Sequence, residues 1–355
     1  MADHPVLFLP GPTEVDDELR QVLAMPVVGH REARFVAVAQ DVCRRLGWLY
    51  QTRQHAAFET CPATALMEAA IRNFVPAGAR SLHLVNGAFS LRWHEVAVAC
   101  GRAAEALNVP LGEAPAPALL RQRLQRGPAV AAVTITHNET ATGVLSPLPE
   151  LAATVHELAP DALVLVDCVS SVGGAEVRFD DWRLDFAFAG TQKCLALPPG
   201  LGTYAVSQRA LDRAAGVPDR GFLFDLPHAV ADTTAGKTLA TPCVPLVFAL
   251  QRQLQRIEAE GLPARWTRHR ALRDQTLAWA AARGMRPFVG DAAARSPTVS
   301  CIDANGQSVA ELARRATAAG FVIDRGYGEL RDRAFRIGHM GDHTAARLQA
   351  LLAAL

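Results

Sequence analysis

The chain has 355 residues, 36 Lys+Arg against 35 Asp+Glu for a formal net charge of +1, and a composition that is 50% hydrophobic and 20% charged. That length accommodates one large and one smaller domain, and the balanced charge excludes both a basic nucleic-acid footprint and a disordered chain. Seven cysteines with no C-x-x-C pair imply neither a disulfide framework nor a zinc ribbon, and reduced thiols are expected of a cytoplasmic protein. The first 13 residues (MADHPVLFLPGPT) lack a basic segment and a long apolar run, and no stretch approaches the roughly 20 apolar residues that cross a bilayer, so export and membrane anchoring are not expected. From about residue 60 to 205, short apolar runs alternate with segments of helical period. Strands are predicted at 81–86, 129–136, 162–167, 186–189 and 202–207, and helices at 64–74, 91–99, 117–126 and 148–158. This alternation is the signature of βα units around a mostly parallel sheet. The run ALVLVD at 162–167 reads as a buried strand ending in a carboxylate at the edge where open α/β sheets bind ligands. After Pro242 the texture changes to helical stretches at 246–260 and 263–283. A strand at 298–302, a helix at 309–319, strands at 321–323 and 335–337 and a closing helix at 344–355 then form a small α+β unit. One domain change is therefore expected near residue 245, without internal repeats.

The segment GTQKCLALPPG at 190–200 places Lys193 just past an apolar strand, before a Pro-Pro-Gly turn and among few other charges. An amine in partly desolvated surroundings has a lowered pKa and can form a Schiff base, although a lysine beside a turn is also an ordinary surface residue. Asp167 ends its strand where a carboxylate would serve a pyridinium nitrogen, although Ser170 and Ser171 follow and an N-cap role competes. The two residues together, on neighbouring βα edges, carry more weight than either alone.

Four ordered segments, THNETATGV (136–144), DCVSSVGG (167–174), GTQKCLALPPGLG (190–202) and FRIGHMG (335–341), resemble the class V, fold-type I PLP-dependent aminotransferases, in particular the serine/alanine–glyoxylate or pyruvate branch. The resemblance runs from LPGPT at 9–13 to the final helix. It implies an α/β fold-type I PLP-transferase with a mostly parallel seven-stranded sheet flanked by helices in the large domain. Residues 1–15 would lie over the active site, 16–245 would bind pyridoxal 5'-phosphate (PLP), and 246–355 would form the small domain. It further implies that Lys193 forms the Schiff base and moves the proton between the donor Cα and the cofactor. Asp167 would stay ionised beside the protonated ring nitrogen. Phe89 would stack on the pyridine face, Val169 would cover the other, and Thr140 would reach the phenolic oxygen; a core phenylalanine and a self-satisfied loop threonine are the plainer readings. Ala63 and Thr64, opening a helix, would meet the phosphate with Gln192 as a further donor, although CPAT departs from the commoner family pattern there.

Thr241 matches a residue that reaches the phosphate of the neighbouring subunit, which implies a homodimer with shared active sites. Thr238 stands where some relatives carry a tyrosine. Arg336 matches the arginine that clamps the substrate carboxylate with a planar fork, and Gly11 backbone would lie beside it. The implied reaction is ping-pong transfer of an amino group from serine or alanine to glyoxylate or pyruvate, with no metal. If Arg31 and Arg325, or His30, converge on the pocket, an anionic donor such as phosphoserine, aspartate or 2-aminoethylphosphonate becomes the alternative. A cysteine desulfurase-like lyase is the remoter reading: such enzymes carry histidine where this chain has Gln192, and Cys301 in TVSCID reads as core. A non-catalytic PLP-fold protein would have lost Lys193 or Asp167, and no G-x-G-x-x-G supports a nicotinamide enzyme.

Overall fold

The computed structural model describes residues 4–355, so the first three residues of the expected segment 1–15 lie outside the described residues. A seven-stranded sheet forms the larger core: β1 (His55–Glu59), β2 (Arg80–Val85), β3 (Ala103–Asn108), β4 (Ala132–Thr136), β5 (Leu163–Asp167), β6 (Phe186–Gly190) and β7 (Gly202–Val206). Their spatial order is β1-β7-β6-β5-β4-β2-β3. β7 runs antiparallel to both neighbours and the other pairings are parallel. The carboxyl ends of the remaining strands therefore share one edge.

The continuous apolar run of β5 follows from burial on both faces. Val164 and Val166 join a cluster with helices α2 (Ala33–Tyr50), α6 (Leu148–Leu158) and α9 (Val244–Glu260). Leu163 and Leu165 join the opposite cluster with α3 (Ala63–Phe74), α4 (Ala88–Ala99), α7 (Gln208–Ala215) and α8 (Leu226–Thr234). Successive side chains of a strand point to opposite faces, so a strand covered on both must be apolar throughout. The remaining helices are α1 (Asp17–Leu23), α5 (Pro117–Arg126), α10 (Leu262–Ala281), α11 (Val309–Ala318) and α12 (Ala345–Ala354).

β8 (Arg286–Pro287), β9 (Val299–Asp303), β10 (Asp324–Arg325) and β11 (Ala334–Gly338) build a second, antiparallel sheet in the order β8-β9-β11-β10. Its apolar face packs with Leu272 of α10, Leu312 of α11 and Leu348 and Leu351 of α12. The N-terminal segment belongs to this unit. Val6–Leu7 pairs in parallel with Phe321–Val322, and the Gly338 N–H donates to Phe8 O at 2.8 Å. That path delivers Pro10 and Gly11 to the carboxyl edge of the larger sheet.

Three of the five predicted strands of the large unit differ from the observed ones by one residue at one end, 81–86 is shifted by one residue to Arg80–Val85, and 129–136 shortens to Ala132–Thr136. β1 and β3 had no predicted counterpart. They are the edges of the sheet, have half-exposed patterns and read HAAFE and AAEALN, with little of the β-branched content that marks a central strand.

Candidate active site

The ends of β4, β5 and β6 and the middle of β11 place most of the chemistry. Lys193 follows β6 and is buried, with Nζ donating to Pro10 O. Burial pulls its ammonium down to about 8, and the Arg336 charge adds to that. Asp167 closes β5 and is also buried. Loss of hydration pushes its carboxyl up to about 7 against the Val169 N–H, which donates to Oδ1 at 2.8 Å. No cation stands within ion-pair distance of it among the described residues. A buried carboxylate of that kind needs a positive partner to remain ionised, and a protonated ring nitrogen is such a partner.

Phe89 opens α4, half-buried, with its ring centroid 5.8 Å from Lys193 Nζ and 5.9 Å from the Tyr327 ring. The entry of α4 is held by Glu139, which is fully buried after β4. Its Oε2 accepts from the Phe89 N–H at 3.1 Å, the Ser90 N–H at 3.0 Å and the Ser90 hydroxyl at 3.1 Å, while Oε1 accepts from Ala141 N–H at 3.1 Å. Burial raises the Glu139 pKa and these four donors oppose it. Sequence reasoning missed Glu139 although it lies within THNETATGV, because nothing local shows that its partners lie on another helix.

Ala63 and Thr64 stand at the start of α3, where Pro62 supplies no side-chain cap. A helix start without a side-chain acceptor presents N–H groups to an anion. Thr64 is exposed there and Ala63 buried. Thr140 is buried with its hydroxyl 2.6 Å from Ser170 Oγ and its carbonyl accepting from Arg336 Nη1 at 3.0 Å. The hydroxyl expected to meet the phenolic oxygen thus has Ser170 as its partner, which the sequence reading had not identified. Gln192 is half-buried, and its carbonyl accepts from the Thr13 N–H at 3.1 Å. Gly11 has φ of +110°, and a Cβ there would run into the Lys193 side chain, so the segment requires glycine at this point.

Arg336 lies on β11, buried, and pairs with Asp324 as well as with Thr140 O. Its Cζ is 5.5 Å from the Tyr327 centroid. Lys193, Phe89, Thr140 and Arg336 are thus joined through direct contacts or shared neighbours, and the Asp167 charge acts on Lys193 from the neighbouring strand end. Thr241 is elsewhere in the single chain: it is exposed in a cleft of about 570 Å³ lined also by His30, Arg31, Lys237 and Thr238. Arg325 does not turn to Arg336 but pairs with Asp332. Arg92, unremarked in the sequence, lies with Cζ 5.1 Å from the Phe89 centroid and Nη2 3.5 Å from the Tyr327 hydroxyl. Cys301 is buried, its thiol pushed up to about 12 by burial, as a core residue should be. No group of metal-ligating side chains occurs among the described residues.

Residues 61–327 match the sequence profile of the aminotransferase class-V family. The chain belongs to the class V aminotransferases. The enzyme is 34% identical over 347 residues to the soluble hydrogenase small subunit of Synechococcus sp., covering 96% of this chain and 89% of that protein. It is 30% identical to the serine–glyoxylate aminotransferase of Methylorubrum extorquens (95% and 86% covered) and to the L-aspartate–glyoxylate aminotransferase of Paracoccus denitrificans (98% and 89%). The crystal structure of alanine–glyoxylate aminotransferase from Nostoc sp. superposes with a TM-score of 0.93 at 26% identity, over 100% of this chain and 95% of that one. The aminotransferase is thus an α/β protein of PLP fold type I, and its cofactor is PLP. The residues present fit that group. Asp167 is a buried carboxylate in want of a cation, the start of α3 is open to an anion, and Phe89 offers a ring beside the Lys193 amine.

Proposed function

We propose that this aminotransferase moves an amino group from a small neutral donor, serine or alanine, to glyoxylate or pyruvate, with Lys193 as its catalytic residue. The observation that carries the reading is the buried Lys193 amine at the carboxyl edge of the sheet, beside the Phe89 ring and under the charges of Asp167 and Arg336. Bound PLP supplies an aldehyde that captures amines and a pyridinium ring that accepts electron density from the donor Cα. Lys193 Nζ would hold the cofactor covalently and, once displaced by the incoming donor amine, would serve as the base that takes the proton from the donor Cα and the acid that returns it. The Asp167 carboxylate, its orientation fixed by the Val169 N–H, would hold the ring nitrogen protonated. Phe89 and Val169 would cover the two faces of the ring, and the N–H groups of Ala63 and Thr64 with the Gln192 side chain would hold the phosphate. Arg336 grips the donor carboxylate, with Gly11 backbone beside it.

The choice of a neutral donor rests on Arg325, which is turned to Asp332, and on His30 and Arg31, which line the Thr241 cleft. The second reading, an anionic donor, draws on Arg92 near Phe89 and on the aspartate–glyoxylate relative. We further place the protein in the cytoplasm as a homodimer in which Thr241 of each subunit meets the phosphate held by the other; its seven cysteines are all free. No helix among the described residues is long and apolar enough to cross a membrane. The test is a half-reaction screen. The yellow holoenzyme mixed with single amino acids should lose its aldehyde-form absorbance with serine or alanine and regain it with glyoxylate or pyruvate. No conversion with any amino acid would overturn the proposal, and conversion by aspartate or phosphoserine alone would establish the second reading.

A further inference from the structure

A guanidinium carries five N–H groups, and a substrate carboxylate grips one of its edges with two parallel bonds. In Arg336, Nη1 donates to Thr140 O at 3.0 Å and Nη2 donates to the Asp324 carboxylate. Nε is buried and has no partner among the described residues. Nε and Nη2 share one edge of the planar group, so an internal carboxylate already occupies one end of an edge whose other end is free. The two partners are unequally placed: the Arg336 side chain is 6% exposed and that of Asp324 is 36% exposed. Of the two, Asp324 is the one with room to move toward solvent, while Arg336 is anchored on β11 by the Thr140 carbonyl.

The position of Asp324 is set by the backbone. It stands on the two-residue edge strand β10, directly opposite Arg336 in the register. The next residue, Arg325, is committed to Asp332, and the exposed Tyr327 with Gly328 borders an apolar cavity of about 370 Å³ that includes Gly87, Ala88 and Ala141. Asp324 thus adds negative charge beside a pocket whose cations are Lys193, Arg336 and, beyond Phe89, Arg92.

We propose that Asp324 is a specificity-determining residue: its carboxylate occupies the Arg336 edge until a substrate carboxylate displaces it, and it then remains beside the pocket and disfavours donors with a second acidic group. The inference rests on the reading of Arg336 as the clamp. Binding of an amino acid becomes an exchange of one carboxylate for another, which lowers the affinity for every carboxylate ligand. The repulsion that follows falls mainly on ligands with two.

The experiment titrates the holoenzyme calorimetrically with propionate and with succinate, neither of which carries an amine or turns over. Asp324→Asn keeps the side-chain shape without the charge, and Asp324→Ser removes the amide oxygen that would still accept from Nη2. Both variants should bind propionate several-fold more tightly and succinate on the order of tenfold more tightly, because removing a like charge beside an ionic contact acts most on the more highly charged ligand. In the half-reaction, kcat/KM for aspartate should rise relative to serine, chiefly through KM. A succinate-to-propionate affinity ratio unchanged in both folded variants would overturn the proposal. Arg336→Lys separates this outcome from failure of the clamp: propionate affinity unchanged in Arg336→Lys sinks both readings, whereas a loss there with an unchanged ratio in the Asp324 variants sinks this proposal alone.

Discussion

Burial drives Lys193 and Asp167 toward their neutral forms, from reference values of 10.5 and 3.8 to about 8 and about 7. Their contributions to apoprotein stability have opposite pH dependence. The depressed lysine contributes fully above 10.5 and loses that contribution as pH falls through about 8; the raised aspartate contributes fully below 3.8 and loses it as pH rises through about 7. Near neutrality both charges are borne at a cost. Lys193→Met should therefore stabilise the apoprotein at pH 7 by on the order of 2 kcal/mol in a denaturant titration while abolishing turnover. Lower stability in this variant would show that the ammonium is not penalised. Capture of PLP by the wild-type apoprotein requires the free amine, so its rate should climb with a midpoint at about 8. A rate flat across that range would refute the lowered pKa. Arg336→Ala should cost about 2–5 kcal/mol in kcat/KM for amino donors, because truncation leaves the substrate carboxylate and Asp324 without their cation.

At the scale of elements, two helix starts carry the site in different ways. The start of α3 has no side-chain acceptor and so is open to an anion, whereas the start of α4 is fastened by Glu139 to the end of β4. Glu139→Ala strands the N–H groups of Phe89, Ser90 and Ala141, at about 1–3 kcal/mol for each that stays unsatisfied. We expect a thermal midpoint several degrees lower and weaker PLP retention; a melt matching wild type would show that water replaces the carboxylate freely. Gly87→Ala should destabilise by about 1–3 kcal/mol through overpacking, since its Cβ would overlap the Glu139 side chain.

The two sheets are tied together by Arg265 of α10. This fully buried guanidinium pairs with Glu260 at 2.8 Å and Asp342 at 2.9 Å and donates to Gly173 O and Cys194 O. It links the loop after β5, the residue next to Lys193 and the segment following β11. Arg265→Leu removes one of the two guanidinium partners of Asp342, leaving Arg256 at 3.4 Å, strips Gly173 O and Cys194 O of their donor, and should cost about 3 kcal/mol in global stability. A small loss in a reversible denaturant transition would count against this linkage. In solution the proposed dimer should sediment at twice the chain mass, and a fully active monomer would refute the shared site.

What the sequence determined by itself is local. Lys193 past an apolar strand and Asp167 at the end of another are legible because a strand's burial, end and neighbours are encoded within about ten residues, whereas Arg336 stands out only through the likeness of FRIGHMG to the family motif. The two edge strands escaped because their half-exposed, alanine-rich segments carry no period strong enough to read. Tertiary structure alone decided which groups face these three residues. Pro10 O meets the Lys193 amine, Glu139 fastens α4, Arg265 spans both sheets and Asp324 occupies the Arg336 edge. Most of these contacts join residues far apart along the chain, and even Asp324 meets Arg336 only through the pairing of two strands across a sheet. Hydrophobic burial places the strands, and the electrostatics of the site arises only once they are placed.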